Sequence, residues 1–245
     1  MIGNELLDDP HADPSLVQAE LEDITRLNAL FGGTGAVIEA LEPFFRGGTG
    51  DEGGGTGITW TLLDVGTGSG DIALAARAAA RRHGIDLQPL GLELNPTAAR
   101  TARANGVPTI VADGTMMPLR ARSVDVVIAS QVLHHLPRKV AVRWIAGVDR
   151  LARRAVVLAD LRRSALAMAG VWAAALGLGM SAVTRHDAVV SLRRGYTKQE
   201  FEGMLREAGV QTAVRYRPGF RIVAAWAPGA SSVIRRLASV ASDDG

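Results

Sequence analysis

No cysteine occurs in the 245 residues, which excludes a disulfide framework and any thiolate acting as metal ligand or nucleophile. Lysine stands only at Lys139 and Lys198, and the other basic residues are arginines scattered along the chain. With a formal net charge of +2, that scatter builds no phosphate-binding patch. No nucleic-acid recognition module is visible either, so no nucleic-acid partner is expected. No signal peptide is expected either: MIGNELLDDPHADP is acidic and polar, whereas such a peptide starts basic and continues apolar. A cytoplasmic protein is the expectation. Apolar residues, by contrast, make up 47% of the chain, enough for a sizeable core, and the length suits one large α/β domain.

Leu16, Val17, Leu21, Ile24, Leu27 and Leu30 recur at the helical period. Gly32 and Gly33 end that helix, and Val37 to Phe45 predicts a second, short one. The glycine run from Gly47 to Gly57 has no strand before it and no helix after it, so it is a linker and not a phosphate loop. Short apolar strands then alternate with helices, the pattern of a parallel sheet covered on both faces. Strands are predicted at Trp60–Val65, Gln88–Leu92, Thr109–Ala112, Val124–Ala129 and Ala155–Ala159. Helices are predicted at Asp71–His83, Pro96–Asn105 and Arg138–Leu151. Thr197 and Glu200 form a capping box for a last helix that Gly209 closes. Val210–Tyr216 and Phe220–Trp226, parted by Pro218-Gly219, make an antiparallel hairpin. The expected fold is thus a doubly wound α/β sheet of seven strands, mostly parallel. The layout is a helical cap at 1–46, a linker at 47–57, a main domain at 58–228 with an insertion at 162–196, and a tail at 229–245.

Within the insertion, Ala165 to Val183 is apolar and long enough to cross a membrane. It is built on Ala and Gly instead of Leu and Ile and interrupts an α/β unit. A lid over a pocket is therefore expected, not a membrane span. Met168, Trp172 and Met180 would give that roof an apolar lining.

The chemistry begins at Leu62-Leu63-Asp64-Val65-Gly66-Thr67-Gly68-Ser69-Gly70-Asp71, where a strand runs through a glycine-rich turn into a helix. Gly66 and Gly68 let the backbone approach a ligand, and the helix start beyond Gly70 offers unpaired N–H groups to an anion. Glu93, ending the second strand in GLELN, can accept from both hydroxyls of a ribose. Asp113, ending the third strand in VADGT, can accept from an adenine amine. Open α/β sheets bind ligands at these carboxyl ends of strands.

DVGTGSG, GLELN, VADGT and SVDVVIASQVLHHL resemble the successive motifs of class I S-adenosylmethionine (SAM)-dependent methyltransferases over roughly Trp60 to Leu161. GTGSGDIA is similar to the ubiquinone/menaquinone-biosynthesis methyltransferases, and LHHL to small-molecule O-methyltransferases acting on sugars and polyketides. The resemblance implies SAM as cofactor. Asp64, Gly66 and Gly68 would line its amino-acid end, with Thr67 and Gly70 beside them. Glu93 and Leu94 would hold the ribose, Asp113 with Gly114 and Thr115 the adenine, and Ser130 with Gln131 the methionine side. A dinucleotide fingerprint would read G-x-G-x-x-G, whereas the glycines here run G-x-G-x-G.

A hydroxyl acceptor needs a general base, and histidine, with a pKa near 6.5, is the usual one. His134 and His135 follow the fourth strand, beside the expected methyl position, and Asp160 ends the fifth strand where it could orient one of them. His186 or Arg193 could reach the acceptor from the insertion, or His186 could pair with Asp187 at the surface. Arg26, Asn28 and Phe31 of the first helix could cover the far side of SAM. The reading is O-methylation of a largely apolar, hydroxylated small-molecule acceptor. Carbon methylation of a quinol ring and non-catalytic SAM binding are the alternatives; no metal is assigned, and a homodimer is left open.

Overall fold

The computed structural model describes residues 5–48, 58–117, 119–164, 170, 177, 179–180 and 182–229. The glycine linker, most of the apolar segment from Ala165, with Met168 and Trp172, and the tail beyond Gly229 lie outside them.

The chain opens with a single 3₁₀ turn, Leu6–Asp8, and continues into α1, Pro14–Leu30, and α2, Gly33–Gly48. Asp13 caps α1 by accepting from Ser15 N and Leu16 N, with proline at the first helical position. Seven strands follow: β1 Ile58–Val65, β2 Ile85–Glu93, β3 Thr109–Val111, β4 Val124–Ser130, β5 Ala152–Leu161, β6 Val214–Arg217 and β7 Arg221–Trp226. Between them stand α3 Asp71–Arg81, α4 Pro96–Ala104, α5 Arg138–Leu151, α6 Ala182–Arg194 and α7 Lys198–Glu207. The strand order is β3-β2-β1-β4-β5-β7-β6. β7 runs antiparallel between β5 and β6, and the strands from β3 through β5 are parallel. The predicted fold class is therefore the observed one.

Apolar runs become strands here because both faces of the sheet are covered. Leu62, Val126, Ile128 and Val157 face α2, α3 and α4 in one core, while Leu63, Val127, Val156 and Leu158 face α5 and α7 in the other. The predicted cap is thus part of the first core: α2, longer than expected, buries Val37, Leu41 and Phe45 against Trp60 and Leu62. The Thr197–Glu200 capping box forms at the start of α7. No helix among the described residues is long and apolar enough to cross a membrane.

This order leaves β1 and β4 adjacent, with the chain leaving them to opposite sides. The crevice between their carboxyl ends is where such a sheet receives ligands.

Candidate active site

A cavity of about 280 Å³ opens at that crevice. Its floor is the β1–α3 turn. Gly66 has φ +71°, and a Cβ there would lie 2.5 Å from Val132 Cγ2, so the fold itself demands glycine. Gly66 N donates to Leu92 O at 2.8 Å, and Gly68 N donates to Glu93 Oε2 at 2.9 Å. Glu93 Oε1 accepts from Asn95 N at 3.0 Å. The carboxylate that ends β2 therefore braces the glycine turn and still faces the cavity with Leu94. Asp113, Gly114 and Thr115 border the next stretch; Asp113 accepts from Thr115 N, and Trp144 Nε1 donates to Gly114 O at 2.7 Å. Ser130 and Gln131 complete the wall at the end of β4. Of the expected cofactor residues, Gly66, Thr67, Gly68, Glu93, Leu94, Asp113, Gly114, Thr115, Ser130 and Gln131 come together on one cavity.

Asp64 and Gly70 do not line it. Asp64 lies behind the turn, buried, accepting from Thr67 Oγ1 at 2.9 Å. Burial pushes its carboxyl up to about 8, with Asp71 and Glu93 adding to the rise and the Thr67 bond opposing it. It shapes the loop from behind. Gly70 faces α4, where a Cβ would lie 2.8 Å from Val107 Cγ2.

The 3₁₀ turn Leu133–His135 presents both histidines to the same cavity. Asp160 is fully buried at the end of β5; its Oδ2 accepts from His134 N at 3.1 Å, and its Oδ1 stands 2.6 Å from His134 Nδ1. An ionised carboxylate only accepts, so Nδ1 carries the hydrogen and Nε2 points away. Tyr196 OH donates to Leu133 O at 2.7 Å and fixes the same turn. Burial alone would lower the His134 pKa. The charge and hydrogen bond of Asp160, with the charge of Glu5, outweigh it and raise the imidazole to about 9.

Glu5 and Asp8 are partners the sequence reading missed. Glu5 Oε1 is 3.6 Å from His134 Nε2, and Oε2 is 3.8 Å from His135 Nε2. Asp8 Oδ1 is 2.6 Å from His135 Nδ1, and Arg194 Nη1 reaches both acids at 3.1 Å. This N-terminal strap is pinned by Leu6 N donating to Asp187 Oδ2 at 2.7 Å and Asn95 Nδ2 donating to Asp9 O at 3.0 Å. The one signal available was the acidic ELLDD run itself, which matches a histidine pair and an arginine in charge.

The roof comes from α1 and α6. Ile24, Leu27, Asn28 and Phe31 line the cavity, as do Thr184, Asp187, Ala188, Ser191 and Leu192. Asn28 Oδ1 accepts from Gln131 Nε2 and from Arg221 Nη2, each at 3.0 Å. Arg221, buried on β7, is a further cavity residue missed from sequence. Three expectations for the roof are corrected. His186 and Arg193 are exposed on α6, which turns Asp187 and Arg194 inward in their place. Arg26 is exposed and pairs with Asp23 at 3.5 Å. Met180 is buried but does not border the cavity.

Comparison with known proteins agrees with this geometry. Residues 63–169 match the family model described as a methyltransferase domain. An uncharacterized methyltransferase of Mycobacterium ulcerans (strain Agy99) is 38% identical over 95 residues, covering 37% of this chain and 33% of that protein. The match thus spans about a third of the curated relative's length. Among solved structures, a SAM-dependent methyltransferase from Aquifex aeolicus superposes with TM-score 0.58 at 16% identity, covering 87% of this chain and 97% of that one. Magnesium protoporphyrin IX methyltransferase from Synechocystis PCC 6803, with S-adenosylhomocysteine bound, gives TM-score 0.51 at 14% identity over 79% of this chain and 82% of that one. Residues 63–169 thus match a methyltransferase domain, and the strand order β3-β2-β1-β4-β5-β7-β6 is that of the class I methyltransferase fold.

Proposed function

We propose that the chain transfers the methyl group of SAM to a hydroxyl of a largely apolar small molecule, such as a phenol, enol or pyrone of polyketide or quinone metabolism. The observation that carries this reading is the His134–Asp160 pair, 2.6 Å apart, whose His134 lines the same cavity as Glu93 and Asp113. SAM supplies a methyl already activated on a sulfonium, so the chain's task is to align the acceptor and manage its proton. Leu27, Phe31, Leu136 and Leu161 give the acceptor an apolar bed. Asp160 and Glu5 hold the His134 pKa up to about 9, while its Nε2 has no hydrogen-bond partner. Displacement of Glu5 by the acceptor hydroxyl carries the extra proton away with the Glu5 carboxyl and leaves a neutral Nε2 facing the acceptor's hydroxyl proton. The proton then passes to Nε2, and Asp160 stabilises the resulting cation without taking the proton.

A screen of phenols, pyrones and quinols with SAM, read by product mass and NMR, tests the acceptor class. His134→Ala should lower the rate by about 10²–10⁴, the range for general-base catalysis, with SAM affinity little changed. Methylation at carbon in every product would replace oxygen with a quinol ring carbon as the target. Undiminished turnover in His134→Ala with a weakly acidic acceptor would reduce the pair to a structural role.

A further inference from the structure

His134 and His135 share an arrangement that proton transfer does not require. Each ring gives Nδ1 to a carboxylate at 2.6 Å, Asp160 for His134 and Asp8 for His135. Each therefore turns its Nε2 toward the same third group, the Glu5 carboxylate. The distances there, 3.6 and 3.8 Å, are too long for hydrogen bonds. His134 Nε2 is buried with no hydrogen-bond partner, and its side chain is 1% exposed. Ligand atoms of these three residues all lie within 4.8 Å of one another. Zinc–nitrogen bonds of about 2.0–2.1 Å in a tetrahedron set neighbouring ligand atoms about 3.4 Å apart, close to what the side chains already hold.

We propose that Glu5, His134 and His135 form a site for a divalent first-row transition-metal ion of the zinc class, bound through the two Nε2 atoms and the Glu5 carboxylate. Imidazole and carboxylate donors suit such ions better than they suit magnesium or calcium. Asp160 and Asp8 supply the outer carboxylates that fix metal-binding histidines in the correct tautomer. The charge also agrees: Glu5, Asp8 and Asp160 bring three negative charges, which Arg194, 3.1 Å from Glu5 and Asp8, offsets only in part. Arg221, a second cation, feels the charge of Asp160. A metal ion takes the lone pair that would otherwise take a proton, so it blocks the transfer proposed above. That consequence rests on the proposed function; the binding does not.

The test is titration of chelator-stripped, tag-free protein with Zn²⁺ by calorimetry and with Co²⁺ by visible absorption, without SAM. One ion per chain is expected, with the absorption of low-coordinate cobalt and a rise in melting temperature on zinc binding. Glu5→Gln and His135→Ala should each weaken binding at least tenfold, and Asp8→Asn by about 10–100-fold, the usual effect of an outer partner. Circular dichroism checks that each variant is folded. His83→Ala, which removes the separate His83–Glu42 pair at 2.9 Å, should bind as wild type does. Folded wild-type protein that takes up no ion, or uptake that survives Glu5→Gln and His135→Ala, would overturn the proposal.

Discussion

Asp64 is one residue whose surroundings decide between two roles. A carboxyl held at about 8 by burial keeps in the folded protein a proton that the unfolded chain gives up near pH 4. Its contribution is therefore fully present below about pH 4 and is lost as pH rises through 8. Asp64→Asn keeps the acceptor for Thr67 Oγ1 and carries no charge. Relative to wild type, it should gain more than about 1.4 kcal/mol between pH 5 and pH 8.5, the worth of a tenfold change in proton affinity. Urea denaturation at the two pH values measures this; equal differences would mean that Asp64 is ionised and solvated. The sequence reading set Asp64 beside the cofactor, whereas its carboxyl accepts from Thr67 behind the turn, because nothing local tells whether a carboxylate near the end of a strand faces ligand or loop. Glu93 and Asp113 were legible because each strand end delivers its side chain to the crevice whatever the rest of the chain does.

Elements show the same division. Strands, α3 to α5 and the capping box were readable, since periodicity and caps are written within a dozen residues. What closes the site was not. Asn28 on α1 meets Arg221 across 193 positions, and Leu6 meets Asp187 across 181. α6 carries His186 outward and Asp187 inward, a phase that its apolar pattern does not announce. The tie between α1 and the sheet is testable at Asn28. Replacement by alanine removes the acceptor shared by Gln131 and Arg221, leaving a buried guanidinium with two further nitrogens, Nε and Nη1, already without partners. A loss of about 1–3 kcal/mol is expected from the unsatisfied donors. Asn28→Asp, which offers Arg221 a countercharge, should lose less. Thermal unfolding of both variants gives the comparison; equal stability of Asn28→Ala and wild type would show that α1 docks by apolar contact alone.

For the whole molecule, the account is a division of labour along one cavity. The parallel half of the sheet carries the residues proposed to hold SAM, while α1, α6, the N-terminal strap and the end of β7 supply further walls of the same cavity, where the proposed acceptor would lie. The proposed cofactor residues rest on backbone turns and strand ends, and the proposed acceptor residues on contacts between segments far apart in sequence. The most direct test is calorimetric titration of SAM into wild-type protein and into Glu93→Ala. One SAM per chain should bind to the wild type, while NAD should not. Glu93→Ala should bind SAM at least tenfold more weakly, since charge-assisted hydrogen bonds are worth about 1.5–3 kcal/mol each. Folded wild-type protein that fails to bind SAM, or unchanged affinity in folded Glu93→Ala, would contradict the account.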